Sequence, residues 1–227
     1  MGAIFRREVR SYFTSPIGYI FLAAFYAYSG VMFANYSLES GYTRLDSVFS
    51  ALLIIIIVLI PVLTMRTISE EKRTKTDQCL LTAPVGLGSI VVGKFLAAFL
   101  IYIIAIAITG VFAVVVSAFG TPDWNVVVGN IVALALVGGA YIAIGIFCSS
   151  FTENQIVAAV ISFIALIFVS FLSTIGNLLP FEWLTTVCEK VSFGERYYSF
   201  TYGLFDFSNV VSVSYTHLRA HETSLHL

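Results

Sequence analysis

Two short stretches carry residue types and spacings that could support chemistry. Gly88-Ser89-Ile90-Val91-Val92-Gly93-Lys94-Phe95 departs by one residue from the phosphate-binding loop G-x-x-x-x-G-K-[ST]. In that loop backbone N–H groups cradle phosphates and the final hydroxyl ligates magnesium. Here Phe95 replaces the hydroxyl, no strand precedes the loop, and an apolar run follows. Lys94 therefore reads as an anchor at a membrane boundary, its stem among apolar groups and its amine among headgroups. His221-Glu222-Thr223-Ser224-Leu225-His226 is close to the zinc-hydrolase pattern HExxH, but its histidines are five apart and fall on different helix faces. His217 and His221 do have i,i+4 spacing, so a surface metal site stands beside the plainer reading of a disordered tail. Cys79, Cys148 and Cys188 show neither a CxxC pair nor metal spacing. No catalytic pair, metal or cofactor is expected of this chain itself.

The charged stretch Arg66-Thr67-Ile68-Ser69-Glu70-Glu71-Lys72-Arg73-Thr74-Lys75-Thr76-Asp77 is different in kind. It is polar, helix-compatible as far as Leu81, and stopped by Thr82-Ala83-Pro84. One reading is a solvated linker. The sharper one is a docking helix for a soluble partner, because a merely connecting loop can be far shorter. Glu70 and Glu71, with Lys72, Arg73 and Thr76 beside them, would be the docking surface.

The rest of the chain explains what such a helix would be attached to. Of 227 residues, 59% are hydrophobic and 11% charged, against roughly 25% charged in a soluble domain. So little polar surface cannot cover so much core in water, and the chain reads as a membrane protein. A formal charge of −1 gives no global basic surface for nucleic acid.

Five stretches are long and apolar enough to cross a bilayer, which takes about 20 helical residues: 17–36, 48–65, 95–118, 127–148 and 156–178. None contains Asp, Glu, Lys, Arg or His. A transmembrane β-barrel needs short alternating segments, and Ile54-Ile55-Ile56-Ile57-Val58 does not alternate. The first span is too long and too aromatic for a cleaved signal peptide and has no A-x-A site after it. The expected fold is all-α, with an N-terminal interfacial helix before the first span. Eight of twelve Lys and Arg residues fall on one side if the N-terminus is cytoplasmic, so the positive-inside rule puts it there, in a multi-pass protein of the plasma (inner) membrane.

In that leader helix Phe5, Val9, Tyr12 and Phe13 share one face and Arg6, Arg7 and Arg10 the other, the pattern of a helix lying among headgroups. A plain basic flank fits the same residues. Ser15-Pro16 should break the helix before the first span. In the fourth span Ala135, Gly139 and Ala143 form a stripe of small residues that lets helices approach closely, within the chain or across a dimer. Asn130 either lines a pathway or hydrogen-bonds between helices. Beyond residue 178 aromatics mix with charges in a manner suited to the outer membrane boundary.

The order of elements and several local sequences resemble ABC-2 type transporter permeases, in particular the gliding-motility-associated ones. The resemblance is carried by Arg7-Glu8-Val9-Arg10-Ser11-Tyr12-Phe13-Thr14-Ser15-Pro16-Ile17-Gly18-Tyr19, by Glu70-Glu71-Lys72-Arg73-Thr74-Lys75-Thr76 through Leu80-Leu81-Thr82-Ala83-Pro84-Val85, by Gly93-Lys94, and by Cys148-Ser149-Ser150-Phe151-Thr152-Glu153-Asn154-Gln155. It covers residues 1–211, read as one transmembrane domain. The resemblance implies that the segment from Glu70 to Thr76 is the coupling helix that sits on a separate ATPase. Lys75 stands where the family commonly has glycine. The family also has a sixth span, which is missing or replaced here. Residues 212–227, with Ser214-Tyr215-Thr216-His217-Leu218-Arg219-Ala220-His221-Glu222-Thr223, look like a translated adapter fragment, an artefactual end.

The expected function is therefore the permease subunit of an exporter, with ATP on a partner subunit and a second permease chain beside it. Two rivals stand beside this reading. A secondary transporter commonly carries ionisable groups inside its spans, and these spans have none. A non-transporting scaffold of a motility or envelope assembly is excluded only weakly.

Overall fold

The computed structural model describes residues 2–38, 45–76, 86–120 and 123–171, and these form helices joined by turns. In chain order they are α1 (Gly2–Thr14), α2 (Pro16–Phe33), α3 (Asp46–Thr64), α4 (Ser69–Thr74), α5 (Leu87–Ser117), α6 (Trp124–Ser149) and α7 (Gln155–Ser170). A π-helical turn, Ala34–Leu38, extends α2. The architecture is all-α among the described residues.

Among the described residues four helices are long and apolar enough to cross a membrane, beginning at Pro16, Asp46, Gly88 and Trp124. They correspond to the first four expected spans. The fifth differs: α7 runs for 16 residues and ends at Ser170, about 24 Å of helix at 1.5 Å per residue. That is shorter than the roughly 30 Å hydrocarbon layer, so a count of five spans is not met by the described residues. Residues 172–178 of that span, the aromatic stretch after it and the tail with its three histidines lie outside them.

The break before α2 forms where Ser15-Pro16 places it. Ser15 adopts an extended backbone and its hydroxyl accepts from the Ile17 N–H at 3.2 Å. Pro16 fills the first helical position, where no N–H is needed. The chain turns so sharply that a Cβ on Gly18 would come within 2.5 Å of the Tyr12 carbonyl oxygen. α7 in turn is started by Asn154, whose side chain accepts from Ile156 N at 2.9 Å.

The long helices alternate in direction, and the core between them is built from Phe21, Phe25, Leu52, Ile56, Ile60, Ile101, Tyr102 and Leu134. The closest helix approaches fall at two glycines of α6. A Cβ on Gly138 would sit 2.2 Å from the Tyr102 ring, and one on Gly145 would sit 2.3 Å from Thr64 Oγ1. A Cβ on Gly139, of the expected small-residue stripe, would come to a tight 3.3 Å from the Phe99 ring, while Ala135 is half-buried beside the core and Ala143 is half-buried too. Gly139 of the stripe thus faces the chain's own α5, and the tightest contacts lie beside the stripe, at Gly138 against α5 and at Gly145 against α3. Asn130 is buried and donates to the Val126 carbonyl of its own helix at 2.9 Å, not across a helix pair through that bond.

Candidate functional site

One end of the bundle gathers α1, the ends of α3 and α6, the segment α4, and the starts of α5 and α7. All eight Lys and Arg of the described residues belong to this end.

α5 is 31 residues long, about 46 Å, so it overshoots the hydrocarbon layer and its first turns stand beyond the apolar run. That is where Lys94 lies. The phosphate-loop-like residues Gly88 to Lys94 are helical, and from Ser89 onward their backbone N–H groups bond back along the chain, not into a loop that could cradle a phosphate.

Lys94 is not among headgroups. Only 2% of its side chain is exposed. Its ammonium donates to the Thr67 carbonyl at 2.6 Å, lies 2.9 Å from Glu71 Oε1 and 3.4 Å from Glu8 Oε1. α1 brings the second half of the cluster. Its apolar residues Phe5 and Val9 pack on the core and Tyr12 is buried, with Ile4 against Gly93 of α5 at 3.1 Å from a built Cβ. Of the face expected among headgroups, Phe5, Val9 and Tyr12 are covered by the chain's own helices, in a packing that also brings Glu8 to Lys94, while Phe13 is exposed beside the arginines. Arg7 Nη2 contacts both Glu8 Oε1 and Glu71 Oε1 at 2.7 Å. The hydrogen bond that Arg7 donates to Glu8 raises its guanidinium above the usual value, against partial burial, and Glu71 adds to it.

α4 is fixed by its inner side. The Ser149 hydroxyl, at the end of α6, accepts from the N–H groups of Ile68 and Ser69 at 3.2 Å each and donates to the Met65 carbonyl at 3.1 Å. Two orphan donors at the start of a helix are thereby satisfied by a neighbouring helix. Lys72 donates from its ammonium to the Ser150 carbonyl. Arg66 pairs with Glu70 at 2.7 Å and donates to Ser15 and, at 3.3 Å, to Ser11. Tyr12 donates to the Leu63 carbonyl at 3.1 Å, and burial pushes its phenol up to about 12, so it is a neutral donor at neutral pH.

The helix is shorter than expected. It ends at Thr74, not near Leu81, and Lys75 takes the left-handed conformation, φ 56° and ψ 22°. The Lys75 and Thr76 N–H groups then bond back to the Lys72 and Glu71 carbonyls at 3.1 and 3.0 Å, closing the helix end. Residues 77–85 lie outside the described ones, with Cys79.

These contacts redistribute the expected site. Glu71 points into the chain and Glu70 is tied to Arg66, so neither acid is a free docking charge. Arg73, Thr74, Lys75 and Thr76 are exposed. Of the leader arginines, Arg6 and Arg10 are exposed and Arg7 belongs to the cluster. Sequence alone places Tyr12 only on the leader's apolar face and gives Glu8, Arg66, Thr67 and Ser149 no role of their own; the one available signal is an isolated Lys beside an apolar, helix-compatible run. A cleft of about 320 Å³ opens among Arg7, Glu8, Tyr12, Arg66, Glu71 and Lys94. Its three cations, Arg7, Arg66 and Lys94, and its three carboxylates, Glu8, Glu71 and the neighbouring Glu70, balance and pair. Such a set holds α1, α4 and the start of α5 together. Among the described residues no three His, Cys, Asp or Glu come together as a metal site.

Residues 4–191, most of the chain and all of this cluster, match the family described as ABC-2 family transporter protein. The chain belongs to this family. It is an ABC-2 membrane domain, and the charge cluster ties its leader helix to the segment between its second and third long apolar helices. The match is to the ABC-2 family at large and carries no gliding-motility association. No match was found among curated proteins or among solved structures.

Proposed function

We propose that this ABC-2 domain is the permease subunit of an exporter driven by a separate ATPase subunit, and that α4 with the following turn is where the ATPase engages. The observation that carries the reading is the two-sidedness of α4. Its inner side is bound by Glu71 to α1 and α5 and by the Ile68 and Ser69 N–H groups to α6, while Arg73 to Thr76 stand bare. A push on the bare side reaches three helices at once. Binding and hydrolysis on the partner would move them between arrangements that open a pathway alternately to the two sides.

In this reading the docking residues are Arg73 and Thr76, with Glu70, Glu71 and Lys72 holding the segment in place. The eight basic residues at one end favour a cytoplasmic leader in the inner membrane, and completion of the fifth span beyond residue 171 belongs to the same proposal. ATP is held by the partner, and two permease chains work with two ATPase chains. The test is capture of a native ATPase subunit by the tagged chain from mildly solubilised membranes, with hydrolysis rising when the pair is reconstituted. A chain that elutes without an ATPase under every mild condition overturns the proposal in favour of a scaffold.

A further inference from the structure

Among the described residues, one stripe of α1 has no partner. Arg6, Arg10 and Phe13 follow each other at i, i+4 and i+7, on the side away from the core, and all three are exposed. Neither arginine makes an ion pair with a described residue. Phe13 is 40% and Tyr19, just past the Ser15-Pro16 break, 57% exposed; their rings meet edge to face at 6.3 Å. Two free cations ending in an aromatic pair at the start of a membrane helix match a leaflet boundary, where aromatic rings sit at headgroup level and arginines meet phosphates. An acidic protein face would use the arginines but leave both rings in water.

We propose that this stripe is a docking surface for anionic lipid headgroups, and that through it the leaflet sets the position of α4. The link is short. The helix that carries Arg6 and Arg10 also carries Arg7 and Glu8, and these hold Glu71 directly and through Lys94. Fixing α1 on a charged surface therefore holds the coupling segment, and loosening it releases that segment. The regulatory meaning rests on α4 being the coupling segment; the lipid contact itself does not.

The test is hydrogen exchange on the full chain alone, in nanodiscs of phosphatidylcholine with and without phosphatidylglycerol. Phosphatidylglycerol should slow exchange in both Gly2–Thr14 and Ser69–Thr74 by about fivefold or more, the factor equal to about 1 kcal/mol, one arginine's share at an anionic surface. High salt should remove the effect. Arg6→Gln with Arg10→Gln should abolish the lipid response of both segments. Glu71→Gln, which keeps Lys94 on Glu8 and the Thr67 carbonyl, should leave the response of α1 and abolish that of α4. No lipid response in the wild type, or a response that survives loss of both arginines, overturns the proposal. So does a double variant whose only defect is failure to capture an ATPase, which would give the stripe to a protein partner. No ATPase enters the exchange measurement, so its failure is distinct from failure of the permease reading.

Discussion

Lys94 Nζ lies 2.9 Å from Glu71 Oε1, joining a residue in the eighth position of a long apolar helix to the middle of the exposed segment before it. The same carboxylate oxygen is 2.7 Å from Arg7. One acid thus ties three separate helices, and its carboxylate keeps a buried ammonium that would otherwise be costly to hold.

Removing the cation should therefore hurt more than an exposed ion pair would. Lys94→Met leaves Glu8 and Glu71 facing each other and should cost about 3 kcal/mol, the low end for a broken buried pair, since Arg7 still contacts both acids. Thermal unfolding in detergent reads this. An unchanged midpoint would mean the cluster holds nothing together.

The two glycine contacts give a packing test with its own control. Gly138→Ala and Gly145→Ala each force a neighbour aside and should destabilise by about 1–3 kcal/mol. Gly110→Ala, with nothing within 4 Å of its built Cβ, should be neutral or stabilising by up to about 1 kcal/mol. Equal effects at all three positions would contradict the helix register described for α6.

Lys75 is the one described non-glycine residue with positive φ. Replacing it with glycine removes a left-handed strain of roughly 1–2 kcal/mol, offset in part by the entropy glycine loses on folding. Lys75→Gly should raise the unfolding midpoint. A lowered midpoint would place Lys75 in another conformation.

Tyr12 supplies a pH signature. Its phenol is raised to about 12 by burial, so the folded state favours the protonated form. The stability it gives is complete below the ordinary value near 10 and is lost as pH rises from there through about 12. Wild type should exceed Tyr12→Phe by about 1 kcal/mol near neutrality, and the gap should shrink above pH 10. A gap that stays constant to pH 11 would show the hydroxyl exposed to solvent.

Much of this was legible in the sequence and the rest was not, for identifiable reasons. Four spans follow from apolar length alone, and the Ser15-Pro16 break from proline's missing N–H. The charged segment after α3 stood out because charge is rare in this chain. The direction in which its acids point did not, since Glu71 meets Arg7 across 64 positions and Lys94 pairs with Glu8 across 86. Only the packing of α1 on α5 decides those pairs. The end of α4 was missed because Thr74, Lys75 and Thr76 carry no glycine to mark a left-handed cap. The stripe of Ala135, Gly139 and Ala143 showed which side of α6 is small, but the closest contacts depend on where Tyr102 and Thr64 stand opposite.

The bare side of α4 is the proposed contact of the ATPase. The direct measurement is capture of the ATPase subunit by Arg73→Glu with Lys75→Glu, beside wild type and at matched salt. Both side chains are exposed, so the variant should fold with an unchanged unfolding midpoint. Capture should fall tenfold or more, about 1.4 kcal/mol, with basal ATPase activity of the free partner unaffected. Full capture and full transport-linked hydrolysis by a normally folded double variant would contradict the assignment of α4 as the coupling segment.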